Sequence, residues 1–311
     1  MKHLLFIFLA FLFLSIVSGG YLFFAACRRK KELPWLDEAA IKKTSYAKYY
    51  DYIIDSHTWL KAHDAQDVWV NSDDGLKLHG LWIPAPNARG TILFAHGYRS
   101  TPLVDFSHAM EFYNQRGINL LIPDQRAHGK SQGKYITFGV KESRDMLGWI
   151  EYHNQNLCDL PIVLDGLSMG ASTMLYLADR DLPENVKAII ADCGFTSPKD
   201  IISVVFRSVT HLPAIPSIWF ADLFARIFAK FSLYECDTRM SLSNSKLPVL
   251  IVHGTADDFV PCEMSKQAYA CCNSPKQLLL VEDAPHGHSF LRGKERYCSL
   301  INELLDNYVG K

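Results

Sequence analysis

With 311 residues, 49% of them hydrophobic, and 32 basic against 33 acidic side chains, the chain can bury a large core. It lacks the basic excess that nucleic-acid binding demands. Eight cysteines, at 27, 158, 193, 236, 262, 271, 272 and 298, show no CxxC pairs or His-rich ligand spacing, which speaks against a zinc site or a disulfide framework and suits a reducing compartment.

The first predicted element is apolar throughout. Leu4 to Cys27 carries no charge over 24 residues. As a helix at about 1.5 Å per residue it reaches about 36 Å, enough for a transmembrane anchor over residues 1–27. A cleaved signal is the competing reading, but its apolar region is normally shorter, about 7–15 residues. Arg28 to Lys31 follow at once, and the positive-inside rule then places the remainder of the chain in the cytoplasm. Residues 28–63 read as a basic link and a packing helix, with Tyr46, Tyr50, Ile53, His57 and Leu60 on one face.

From residue 64 the strand signals are regular. DVWV (67–70) and LKLHGLWI (76–83) flank a turn-forming NSDDG and predict an antiparallel hairpin. Six continuously apolar runs follow at 91–96, 118–124, 161–166, 187–193, 248–254 and 277–283, as parallel strands covered on both faces require. Helical stretches at 103–116, 140–156, 169–180 and 263–272 alternate with them. The pattern predicts an α/β domain over 64–311, with about eight mostly parallel strands and helices on both faces. One long interval, about 195–246, holds the apolar stretches DIISVVFRSV and SIWFADLFARIFAKF and predicts a short helical cap.

DGLSMGAST (165–173) places Ser168 between Gly166 and Gly170, directly after one apolar run and before a helix former. On such a turn a serine presents its hydroxyl above the sheet edge, at a helix N-terminus that favours developing negative charge. A hydroxyl needs a base to become a nucleophile. The partners should follow in the order Ser, acid, His. HGTADDFVP (253–261) offers Asp257 and Asp258, and DAPHGHSF (283–290) offers His286 and His288.

These motifs, with HGYRS (96–100), DQRAHGKSQGKY (124–135) and ADCGFTSP (191–198), resemble the serine α/β-hydrolase superfamily over residues 64–309. The likeness is to its monoacylglycerol-lipase-like and serine-aminopeptidase-like branch. The resemblance implies Ser168 as nucleophile, Asp257 as acid and His286 as base, with Pro285 standing where the family commonly has glycine. It also implies backbone N–H groups of Tyr98 and Met169 as oxyanion donors, and loop-bracing roles for His96, Asp124, Arg126 and His128. Asp165 has no counterpart role.

The resulting expectation is a membrane-anchored serine hydrolase acting on a small or lipid-like acyl ester, without metal, organic cofactor or nucleic-acid partner. Phe206, Trp219, Phe220 and Phe224 are the cap's candidate contacts to an apolar acyl group. The alternatives are a peptidase or amidase of the serine-aminopeptidase type and a non-catalytic hydrolase-like binding domain.

Overall fold

The computed structural model describes residues 1–31, 37–43, 47 and 50–310. Tyr46 of the expected packing helix lies outside these residues. The remainder of that helix is Tyr50–Ala62 (α2, after α1 at Lys2–Cys27), and it buries Ile53 and Leu60.

Eight strands form one sheet: β1 Gln66–Asn71, β2 Lys77–Ile83, β3 Gly90–Ala95, β4 Ile118–Pro123, β5 Ile162–Leu167, β6 Val186–Asp192, β7 Val249–Gly254 and β8 Lys276–Val281. Their order is β1-β2-β4-β3-β5-β6-β7-β8, with β2 antiparallel to both neighbours and the others parallel. The apolar runs behave as their continuity requires. In β3, Ile92 and Phe94 enter one core layer, while Leu93 and Ala95 enter the layer on the opposite face. The first layer packs under α2 and the C-terminal helix Lys294–Tyr308; the second packs under Val140–Tyr152 (α3) and Met169–Leu175 (α4). Burying each such side chain contributes about 1.5–3 kcal/mol.

The expected helix over 103–116 is broken into Pro102–Asp105 and Met110–Asn114. Asp105, at the break, turns inward to accept hydrogen bonds from the Gly97 amide and the Ser100 hydroxyl. The cap consists of Pro198–Thr210 (α5) and Ser217–Phe224 (α6), the latter running into a wider π turn at Ala225–Ala229. Ser197 caps α5 by accepting from the Asp200 amide, and Pro198 occupies its first turn.

Helix α1 is long and apolar enough to cross a membrane. It packs along α6 through one stripe: Ser15, Gly19, Gly20, Phe23 and Cys27 are its buried residues. A Cβ on Gly19 would overlap Phe220 and the Ser217 carbonyl, so only glycine permits this approach. The Ser217 hydroxyl donates to the Ser18 hydroxyl (2.9 Å). At the C-terminal end of α1, the Tyr98 hydroxyl donates to the Ala26 carbonyl (2.7 Å) and Arg28 forms a β-bridge with Tyr135.

Candidate active site

Because β3 and β5 to β8 are parallel, the loops after them open at one edge of the sheet. Ser168 follows β5 with φ 57° and ψ −116°, a backbone shape that L-residues seldom adopt and that the elbow imposes. The turn is tight on both sides. A Cβ at Gly166 would overlap the Gly170 carbonyl, and one at Gly170 would overlap the Ala95 carbonyl of β3. The Ser168 amide is held by the Asp192 carbonyl of β6 (2.8 Å).

The loops after β7 and β8 are tied together by the Ala256 amide, which donates to the Ala284 carbonyl (3.1 Å). This brings Asp257 and His286 face to face. His286 Nδ1–H donates to Asp257 Oδ2 (2.6 Å), and Ser168 Oγ–H donates to His286 Nε2 (2.9 Å). The other carboxylate oxygen of Asp257 accepts the amides of Phe259 (2.9 Å) and Val260 (2.8 Å). Burial alone would raise the Asp257 pKa, but hydrogen bonds from His253 and His286 outweigh it and hold the carboxyl well below the usual carboxylate range. Asp258 lines the neighbouring chamber, and His288 precedes the short helix Ser289–Arg292.

His253 carries no role in the sequence analysis, yet it touches the acid. Its Nε2–H faces both Asp257 Oδ2 (3.1 Å) and the Val260 carbonyl (3.0 Å), while Nδ1 accepts from the Ser265 hydroxyl (2.7 Å). Asp105 was likewise unassigned. Its carboxylate anchors the Gly97 amide (2.5 Å), immediately before Tyr98.

The amides of Tyr98 and Met169 are brought to the same edge, one after β3 and one at the first position of α4. Neither donates a hydrogen bond to a described residue. The first amides of a helix have no intrahelical acceptor, so the Met169 N–H is available to an oxygen beside Ser168.

The other conspicuous polar residues have partners of their own. His96 Nε2 accepts from the Gln125 amide (3.0 Å), and His128 Nε2 accepts from the Arg99 amide (3.0 Å). Arg126 is clamped by Asp145 and Asp74, and Asp124 pairs with His79. Asp165 accepts from the Tyr113 hydroxyl (2.7 Å), and burial pushes its carboxyl up to about 7. Asp192 accepts from the Ser289 hydroxyl (2.8 Å), and burial raises it too.

Among the described residues, Cys193, Asp257 and His286 hold potential ligand atoms within 4.8 Å of one another. They make a poor metal cradle. Burial keeps the Cys193 thiol protonated, and the carboxylate and imidazole are committed to each other.

Two clefts meet at Ser168. One, about 480 Å³, carries polar groups such as Ser100, Ser107, Asp258 and His288 among apolar ones such as Ile53, Val104 and Leu291. The other, about 450 Å³, is lined chiefly by apolar side chains from α1 and α5, such as Leu22, Ile202, Val205 and Phe206. Of the cap residues expected to contact an acyl group, Phe206 lines the apolar cleft. Phe220 and Phe224 pack instead against α1, whose close approach occupies them, and Trp219 is exposed.

Residues 86–233 match the family described as "Serine aminopeptidase, S33". The structure is similar to that of the Pyrococcus furiosus esterase Pf2001, with a TM-score of 0.64 and 26% identity over 80% of this chain and 93% of the other. The chain belongs to the serine α/β-hydrolase superfamily. Relatives of similar sequence include the uncharacterized protein YqkD of Bacillus subtilis, 26% identical over 76% of this chain and 78% of its own length. Protein bem46 of Schizosaccharomyces pombe is 26% identical over 63% and 61%. The acylaminoacyl peptidase of Pyrococcus horikoshii, at 18% identity and TM-score 0.60, shares the fold.

Proposed function

We propose that this hydrolase is a membrane-anchored serine esterase that cleaves carboxylic acyl esters through an acyl-enzyme. The observation that carries the reading is the continuous hydrogen-bonded line from Ser168 through His286 to Asp257, with the serine held at a left-handed elbow.

In this mechanism Ser168 Oγ attacks the ester carbonyl as its proton passes to His286 Nε2. Asp257 holds the ring through Nδ1–H and stabilises the imidazolium that forms. The Tyr98 and Met169 amides receive the oxyanion, and they suit that role because they are fixed before the charge develops. The carbonyl re-forms, the C–O bond to the alcohol breaks, and His286 returns its proton to the leaving oxygen. Water then attacks the acyl-serine by the same path, releasing the acid and restoring the Ser168 hydroxyl.

Two features favour an uncleaved anchor over a removed signal. Helix α1 is packed along the cap, and its end is joined to the domain by the Arg28–Tyr135 bridge and the Tyr98 hydroxyl. Its remaining face bears exposed Phe6, Phe8, Phe11 and Leu14, which lipid accommodates and water does not. The basic run Arg28 to Lys31 favours a cytoplasmic hydrolase domain.

A peptidase remains the second reading, favoured by the matched family's description and by Asp258 in the mixed cleft, where a free amine would find a counter-charge. Labelling with a small fluorophosphonate, followed by turnover of matched esters and anilides, tests both. The expected result is a label on Ser168 and faster ester cleavage. An unlabelled, inactive protein would leave only a binding role, and faster anilide cleavage would favour the peptidase.

A further inference from the structure

Helix α1 is more than a tether by position. It carries three faces along its second half. Ser15, Gly19 and Phe23 lie against the cap, while Ser18, Leu22, Ala25 and Ala26 line the apolar cleft that ends at Ser168. Residues such as Phe13 and Val17 are left exposed. Across the cleft, α5 supplies the opposite wall with Ile201, Ile202, Val205 and Val209. The lip residues Tyr21 of α1 and Val209 of α5 are both largely exposed, so the cleft opens sideways between the two helices.

The position of that opening follows from length. Only the uncharged stretch between Lys2 and Arg28 can lie in hydrocarbon, and a crossing takes about 20 residues. The first residue of α1 buried by the protein is Ser15. The stretch before it is too short to cross alone, so the packed half must enter the apolar layer as well, bringing α5 and α6 to it. Exposed Leu212, Ile215 and Trp219 on the cap suit such a boundary.

We propose that α1 forms a wall of the substrate site, and that the acyl chain of a bilayer-resident long-chain ester slides sideways between α1 and α5 to Ser168. The proposal rests on the esterase reading and deepens it. The chain leaves one apolar surrounding for another without crossing water, while the mixed cleft that also meets Ser168 receives the alcohol portion. Specificity for long acyl groups then depends on the anchor helix itself.

The test uses the full chain in phosphatidylcholine vesicles, with 4-nitrophenyl butyrate and palmitate as substrates and a small fluorophosphonate to count intact sites. Leu22→Trp fills the cleft from α1, Val205→Trp fills it from α5, and Leu14→Trp adds the same bulk outside it. The expected result is an about ten-fold or greater loss on palmitate for the first two, with butyrate turnover and labelling within about two-fold of the parent. Leu14→Trp should change neither substrate. Parallel loss on both esters in Leu22→Trp and Val205→Trp, or unchanged palmitate turnover in Leu22→Trp, overturns the proposal while labelling still supports the esterase. A parent protein that takes no label and cleaves neither ester overturns the esterase reading, and the proposal falls with it.

Discussion

The two clefts that meet at Ser168 are similar in volume and differ in lining: one mixes polar with apolar groups, and the other is almost wholly apolar. The mixed one is built by loops of the hydrolase domain, with Asp258, His288 and Ser107 on its walls, and by Tyr52 and Ile53 of α2. The apolar one is incomplete until α1 and the cap close it. The cleft that offers polar groups and the one that offers almost none therefore draw on different helices of the chain, α2 for the first and α1 and α5 for the second. On the proposed reading this divides the substrate at the scissile bond, acyl chain to one side and alcohol to the other. It also makes acyl preference adjustable without touching the catalytic loops.

The largest effects should fall on what both clefts share. Ser168→Ala is expected to lower turnover by about a million-fold. Butyrate and palmitate should lose equally, and the thermal midpoint should stay near that of the parent. Near-parental turnover would remove Ser168 from the mechanism. Asp257→Asn should cost about four orders of magnitude by misorienting the histidine, again without regard to chain length. If Asp258→Asn is the damaging change instead, the acid has been misassigned and the mixed cleft loses its independent role.

A smaller and one-sided effect should follow Gly19→Leu, which forces α1 away from Phe220 and Ser217. Vesicle assays should show palmitate turnover reduced by about ten-fold and butyrate nearly unchanged, since only the apolar wall moves. Equal losses would mean that the seam supports the whole site.

The smallest effect concerns the layer beneath both clefts. Asp165 is raised by burial to about 7, so the folded state binds its proton more tightly than the unfolded chain does. Its contribution is greatest at low pH and declines as pH rises from about 4, the unfolded carboxyl's value, to about 7. Asp165→Asn should therefore come closest to the parent in urea unfolding at or below about pH 4 and gain on it steadily up to about pH 8, with chain-length preference unchanged. A difference that does not vary with pH would contradict the assignment.

The sheet was legible because continuously apolar runs separated by helical stretches have few other solutions, and all eight strands occupy the predicted stretches to within a few residues. Ser168, Asp257 and His286 could be named because each follows a strand in a motif with its own local signature, and the three meet at hydrogen-bond distance. Asp105 escaped notice, since nothing local indicates that a carboxylate in a broken helix reaches back to Gly97. His253 stood in plain view inside HGTADDFVP, but its approach to Asp257 depends on the fold of the loop between them. The seam between α1 and the cap was hidden for a similar reason. Ser15, Ser18, Gly19 and Gly20 form a run of small residues within an apolar span, which signals close helix packing without naming the partner.

Arg99 gives the anchor a second consequence. Its guanidinium holds the carbonyls of Ala25, Ala26 and Arg28 at the end of α1, and the adjacent Tyr98 hydroxyl holds Ala26 as well. Tyr98 lines both clefts together with Ser168, and its amide is the proposed oxyanion donor. Helix and loop thus form one mechanical linkage. A transmembrane helix leans when the bilayer thins and straightens when it thickens. If α1 spans the bilayer as proposed, Arg99 ties any such lean to the loop carrying the Tyr98 amide, and lipid thickness would then bear on the geometry of the site.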